Sequence, residues 1–355
     1  LSSVMLQSFS KRLLQWSHRH GRHDLPWQQE ISAYRVWISE VMLQQTQVET
    51  VIPYFQRFMQ SFPSIQDLAS ATQDAVLEHW SGLGYYARGR NLHKAAQVVI
   101  AEHAGQMPQQ LEQLIALPGI GRSTAAAILS IAHGQQQAIL DGNVKRVLAR
   151  HAAIEGWYGQ AKVLKELWAL AEKLTPKRDN AAYTQAIMDL GATLCTRRQP
   201  RCAECPVVAD CLAHQQGLQE QLPTSKPKKQ IPQREVCMLL IRKDENQFYM
   251  QRRPDSGIWG GLLSFPEFSD SDEASQWAAT HLSTSSSLQP LEPLSHTFSH
   301  FRLQITPLLL DLTTGAPEQV MEADQWVWYK DGSATGGIAT PVQKILNRLN
   351  ARLIK

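Results

Sequence analysis

The stretch from Leu117 to Arg146, LPGIGRSTAAAILSIAHGQQQAILDGNVKR, constrains the fold of this 355-residue chain more than any other. Gly119 and Gly121 leave no Cβ in the way of a close-approaching surface. Arg122 to Leu129 then read as a helix start, a polar first turn followed by small helix formers. A glycine turn that exposes backbone N–H groups at a helix N-terminus is a ready anion site. Twenty residues past Gly121 stands Asp141, followed by Gly142, Asn143, Lys145 and Arg146. LPGxG alone is a tight turn between two helices. The acid and the cations behind it give that turn a chemical setting.

Composition narrows the partners. The net charge is +3, so a polyanion must be met by local basic patches rather than by a global field. No apolar run approaches the roughly 20 residues of a membrane span. Leu6, Phe9, Leu13 and Trp16 have amphipathic-helix spacing, not that of a signal peptide. Four of the five cysteines fall between 195 and 211 and one stands alone at 237. That usage favours metal binding over disulfides and implies a reducing, cytoplasmic setting.

Residues 1–217 read as an all-α domain, with apolar residues at three- and four-residue spacing. The spacing predicts a helix ending near Gln44 and another beginning at Thr46. Thr46 to Glu49 has the form of a capping box, and Pro53 is an expected kink. Trp80 to Arg88 breaks the pattern with two glycines among aromatics, which suits a wedge or stacking loop. Residues 218–235 are polar, Pro- and Lys-rich, and read as an exposed linker. From Val236 the runs 236–241, 247–251, 303–310 and 325–329 read as strands, and 342–349 as a terminal helix. Residues 236–355 are therefore expected to form an α+β domain, with Ser283–Ser287 in a loop.

Cys195-x6-Cys202-x2-Cys205-x5-Cys211 places four thiols within 17 residues. Tetrahedral thiolate sites suit zinc or an iron–sulfur cluster. The 6-2-5 spacing resembles the [4Fe–4S] loop of the endonuclease III and MutY glycosylases. That likeness implies a cluster held by these four residues, fixing a loop whose Arg197, Arg198 and Arg201 face a phosphate backbone.

Breaking a base–sugar bond through an oxocarbenium-like transition state wants an acid for the leaving group and a carboxylate for the developing cation. Glu40, among Ile38, Val41, Met42 and Leu43, has the apolar setting that keeps a proton near neutral pH. Asp141, at a turn, suits the ionised partner. SEVMLQQTQV (39–48), GLGYYARGRNL (82–92), LPGIGRSTA, LDGNVKRVLAR (140–150), the cysteines and HTFSHF (296–301) together resemble the MutY-type adenine DNA glycosylases. These belong to the helix-hairpin-helix, endonuclease III superfamily and carry a Nudix-like C-terminal domain. The resemblance implies a monofunctional enzyme that removes adenine mispaired with 8-oxoguanine or guanine from double-stranded DNA, as a monomer in a bacterial cytoplasm. It implies Glu40 as general acid, Asp141 as stabiliser of the cation, and Asn143 and Ser123 in support. Trp27, Leu43 and Gln185 would line the adenine pocket, and Gly119 and Gly121 would meet the backbone. Gln45, Thr46, Leu83 and Tyr85 would lie beside 8-oxoguanine, and Phe298, Ser299 and His300 would read it from the second domain.

The lyases of the superfamily carry a lysine where this chain has Ser123, so Schiff-base strand cleavage loses its usual nucleophile. An endonuclease III-like glycosylase/lyase and a non-catalytic DNA-binding module are the rival readings. Ser123 opposes the first, and intact Glu40 and Asp141 oppose the second. In the C-terminal domain Gly261-x5-Glu267 is a Nudix remnant, but Ser275, Gln276 and Trp277 stand where magnesium-binding carboxylates are needed, so no pyrophosphatase chemistry is expected.

Overall fold

The computed structural model describes residues 3–227, 231–244, 247–254, 257–282, 287–298, 300–312, 326–330 and 337–353. Two compact units emerge, Leu1–Ser70 with Asn91–Lys228, and Ala71–Arg90 with Lys229–Lys355. The helices of the N-terminal half are α1 (Ser3–His20), α2 (Ala33–Leu43), α3 (Val48–Ser61), α4 (Ile65–Ser70), α5 (Gln73–Trp80) and α6 (Ala87–Glu102). They continue as α7 (Leu111–Ala116), α8 (Arg122–His133), α9 (Gly142–His151), α10 (Ala161–Leu174), α11 (Asn180–Thr193) and the short α12 (Leu212–Gln215).

In the first unit α8 packs against α2, α7 and α11. Its buried residues include the small run Ala125, Ala126 and Ala127, at most 1% exposed, which lets neighbouring helices approach closely. Gly134 closes α8 in the left-handed conformation (φ 65°), its N–H donating to the Leu129 and Ser130 carbonyls. Across the core the Ser130 and Thr184 hydroxyls meet at 2.7 Å, so neither buried polar group is orphaned. Gly191 lets α11 reach α9: a Cβ there would lie 2.7 Å from Asn143 Cβ.

Between α2 and α3 the expected capping box does not form. The Thr46 hydroxyl donates back to the Gln44 carbonyl at 3.4 Å, and α3 starts only at Val48 with Gln47 at its N-cap. The left-handed turn at Gln45 (φ 60°) carries the chain past the point where Thr46 could cap. Part of the stretch read as exposed linker is also docked. Leu222 is 4% exposed, its carbonyl accepts from Arg150 Nε at 2.8 Å, and Thr224 Oγ1 accepts the Gly156 N–H at 3.0 Å.

The second unit is built on β1 (Gln233–Asp244), β2 (Gln247–Arg252), β3 (Leu263–Ser264), β4 (Glu267–Phe268), β5 (Gln289–Pro290), β6 (Leu294–Thr297), β7 (Arg302–Asp311) and β8 (Trp326–Lys330). The sheet runs β3-β2-β1-β7-β5, with β4 also on β1, β6 on β7 and β8 on β2. β1 and β7 are parallel, Leu239 opposite Leu308, and both are apolar runs covered on one side by α13 (Ser271–Leu282). Helix α14 (Thr340–Leu353) ends the unit.

Helix α5 and the loop after it belong to this unit as well. The Tyr86 hydroxyl donates to the Ile338 carbonyl at 3.1 Å, Arg90 Nη1 donates to the Gly260 carbonyl, and Arg252 pairs with Asp74 at 2.7 Å. Gly337 has no room for a side chain, because a Cβ would lie 2.9 Å from Leu262 Cδ2 and 3.2 Å from the Leu77 carbonyl oxygen.

Candidate active site

A large groove crosses the first unit. Helix α2 contributes Val36, Ser39, Glu40 and Leu43, the i, i+3, i+4, i+7 stripe of one face, while Trp37, Ile38 and Met42 point into the core. The opposite wall comes from α11 through Ala181, Ala182, Gln185 and Met188. Asp141, Asn143 and Lys145 enter from the start of α9, and Ser123 from the first turn of α8. Trp27 is 7% exposed, packed edge-to-face on Phe55 with centroids 5.5 Å apart, and its rim borders the groove. Gln45, Thr46, Arg197 and Arg198 stand on the same lining. The groove thus gathers every residue named from the sequence for the acid, its partner, the adenine pocket and the 44–46 turn.

Glu40 and Asp141 share this space and repel each other. Burial, with the Asp141 charge beside it, raises the Glu40 carboxyl from 4.5 to about 8, so it holds its proton at neutral pH. Asp141 is the N-cap of α9, its Oδ1 accepting the Val144 N–H at 2.8 Å. Burial raises its pKa too, while the Val144 and Asn143 N–H groups and the Arg146 and Lys145 charges pull the other way. The two acids differ in what surrounds the charged form. Asp141 has donors and cations, and Glu40 faces a second carboxylate.

Ser123 acts on the backbone here. Its hydroxyl accepts the Leu140 N–H at 3.0 Å, tying α8 to the residue just before Asp141. Gly119 has φ 77° and a Cβ there would lie 2.8 Å from Asn91 Cβ, whereas Gly121 has open space around it and caps α8. Both glycines are exposed, so the hairpin offers its backbone to solvent.

From its middle to its end, α9 is held against the cysteine loop. Arg146 donates from Nη2 to Asn143 Oδ1 (2.8 Å) and the Gly191 carbonyl (2.7 Å), and from Nε to the Cys195 carbonyl (2.7 Å). Arg150, 2% exposed, reaches Cys195 Sγ at 3.4 Å and the Thr196 and Arg197 carbonyls. Cys195, Cys202, Cys205 and Cys211 line one pocket, none in a disulfide. Burial, with the neighbouring cysteines adding to it, pushes Cys205 up to about 12. Four thiolates here require a strongly cationic occupant. Among the described residues no three His, Cys, Asp or Glu side chains come close enough to hold a single metal ion. By its chemistry a set of four thiols suits a tetrahedral zinc or an iron–sulfur cluster.

In the second unit Tyr85 is 56% exposed with φ 52°, while Leu83 beside it is 6% exposed and faces inward. Arg88 fastens this turn, donating to the Gly84 carbonyl at 3.1 Å with its guanidinium 5.3 Å from the Tyr85 ring. Phe298 stacks on Phe301 at 4.6 Å and lies 5.3 Å from Trp259, and His300 is exposed. Ser299 lies outside the described residues. Ser275, Gln276 and Trp277 fall on α13, where Trp277 packs on Phe268.

Sequence reasoning missed Arg22 and Asp189, which meet across 167 positions beside Gln185. The available signal was an aspartate inside an apolar helix, four residues after a groove residue.

The helical architecture, the hairpin and the paired acids define a base-excision repair protein. Residues 38–173 match the HhH-GPD superfamily of base excision DNA repair proteins, and residues 237–348 match the NUDIX domain. A thermostable thymine-DNA glycosylase superposes with a TM-score of 0.53 at 25% identity, over 60% of this chain and 98% of that one. The adenine DNA glycosylase of Buchnera aphidicola subsp. Acyrthosiphon pisum is 40% identical over 346 residues, 97% of this chain and 98% of the relative. The human adenine DNA glycosylase is 36% identical across 95% of this chain and 73% of its own length. The chain belongs to the adenine DNA glycosylase family.

Proposed function

We propose that the chain hydrolyses the N-glycosidic bond of adenine mispaired with 8-oxoguanine or guanine in double-stranded DNA and leaves the strand intact. The observation that carries this is the single groove holding Glu40, raised to about 8, together with Asp141. Adenine leaves the stack for the groove, which is easiest at a mispair. Glu40 gives its proton to the base as the C1′–N9 bond breaks, and the Asp141 carboxylate faces the cation that forms at C1′. Water adds to C1′ and loses a proton to the carboxylates, giving an abasic site.

Asn143 and Ser123 hold the start of α9 for this step. Trp27, Leu43 and Gln185 enclose the base. Gln45, Thr46 and Tyr85, with Leu83 behind, face the opposite base, and Phe298, Ser299 and His300 read 8-oxoguanine. Gly119, Gly121, Arg197 and Arg198 meet the phosphates. Cys195, Cys202, Cys205 and Cys211 would hold a [4Fe–4S] cluster, which supplies shape to the arginine loop. The protein acts as a cytoplasmic monomer on nucleoid DNA, and no helix of the described residues is long and apolar enough to cross a membrane.

Ser123 favours the monofunctional reading over a lyase, because its hydroxyl is engaged by the Leu140 N–H and it has no amine to form an imine. Duplexes carrying each mispair, scored for abasic sites with and without alkali, test this. Strand breaks at A:8-oxoguanine should appear only after alkali. Breaks without alkali would reject the monofunctional chemistry, and no abasic sites would reject the substrate.

A further inference from the structure

Gln185 projects from α11 into the groove, and its amide has two orientations with opposite chemistry. With Oε1 outward it accepts a hydrogen bond from a base, and with Nε2 outward it donates one. The choice is made behind it. Gln185 Nε2 donates to Asp189 Oδ1 at 2.9 Å, one helical turn on. Asp189, 1% exposed at its side chain, is also gripped by Arg22, whose Nε and Nη2 donate to Oδ1 (2.8 and 2.6 Å) and whose backbone N–H donates to Oδ2 (2.9 Å). A carboxylate in an ion pair has no proton to give, so a flipped amide would set two acceptors against each other.

Arg22 is itself fixed. Its carbonyl accepts from Gln28 Nε2 at 2.8 Å, and Gly21 before it turns where a Cβ would lie 2.6 Å from the Ser17 carbonyl oxygen. The Gln185 carbonyl oxygen accepts nothing from the described residues and is left for a ligand in the groove. The amino group at C6 of adenine is a donor, whereas the carbonyl at C6 of hypoxanthine or guanine is an acceptor.

We infer that Arg22 and Asp189 are positioning residues that lock the Gln185 amide as an acceptor, and so select a purine carrying an amino group at C6. The inference rests on the adenine reading above.

The test uses the full chain and two duplexes, with adenine or hypoxanthine as the target opposite 8-oxoguanine. In Asp189→Leu no acceptor stands behind the Gln185 amide, which is then free to turn over. The adenine-to-hypoxanthine ratio of release rates should fall by about 10-fold or more, because an unmatched hydrogen-bonding group is strongly rejected. In the double variant Asp189→Leu, Gln185→Glu the carboxylate presents an acceptor whichever way it turns, and the ratio should recover. An unchanged ratio in folded Asp189→Leu, or a double variant no better than the single one, overturns the inference. Thermal melting checks folding. If Asp189→Leu does not fold, Arg22→Lys, which keeps the charge but loses the fork, must lower the same ratio, and an unchanged ratio there also overturns it. A general loss of packing would slow both bases together and leave the ratio in place. A wild-type chain that releases neither base fails the functional reading first.

Discussion

The Glu40–Asp141 pair of the helical unit and the Asp74 and Asp311 ion pairs of the sheet unit hold their carboxyls in opposite settings. In the first, Glu40 and Asp141 are partly buried side by side, and both pKa values are pushed up. In the second, the carboxylates Asp74 and Asp311 are about half exposed (each 47%) and paired with arginine, and the Tyr85 and His300 side chains are exposed. Burying like charges costs stability and keeps a proton where chemistry needs one. Exposed aromatic and imidazole groups cost little and suit a surface that reads a base. On the proposed function, bond breaking belongs to the groove and discrimination to the appended unit, and the two should separate under mutation.

The strongest way to break that division is Glu40→Gln. Adenine release should fall by about 10²–10⁴-fold with duplex affinity largely retained. Undiminished release would remove Glu40 from the acid role. The same variant has a stability signature. Folding raises the Glu40 pKa from 4.5 to about 8, so between those values the folded state keeps a proton that the unfolded state loses. Stability therefore declines as pH rises through that window, and Glu40→Gln should abolish the decline, a gain on the order of 3 kcal/mol at pH 9 by denaturant melting.

Removing residues 236–355 should reduce the preference for 8-oxoguanine over guanine as the opposite base, about 10-fold or more. This deletion also strips α5 and the Tyr85 loop of Ile338, Gly260 and Arg252, their partners in the second unit. His300→Ala sharpens the comparison by removing one reader alone, and its loss of preference should be smaller. Equal preference in the deleted and intact chains would reject the recognition role.

The smallest effect tests packing inside the helical unit. Gly191→Ala sets a methyl 2.7 Å from Asn143 Cβ and should cost about 1–3 kcal/mol of stability while slowing adenine release. Full stability would show that α11 can withdraw from α9.

Much of the groove was legible in order along the chain because local pattern encodes it. The apolar neighbours of Glu40 mark its helix, and the LPGIG turn marks the start of α8. The DGN that follows places Asp141 at a helix N-cap, and the cysteine spacing marks the loop beyond. What escaped depends on residues far apart. Nothing near Arg22 announces Asp189, 167 positions away. The 71–90 segment reads as part of the first domain, yet its hydrogen bonds reach the sheet unit. The capping box failed for a local reason: a pattern of residue types does not reveal that Gln45 turns left-handed. Docking of Leu222 follows from a buried arginine seeking carbonyls, which polar composition conceals.

The most direct measurement of the central claim is the pH dependence of adenine release under single-turnover conditions from a duplex bearing A opposite 8-oxoguanine. A proton kept by Glu40 predicts a rate that falls as pH rises through about 8. A rate that stays level or climbs from pH 7 to 9 would contradict a protonated Glu40 as the acid.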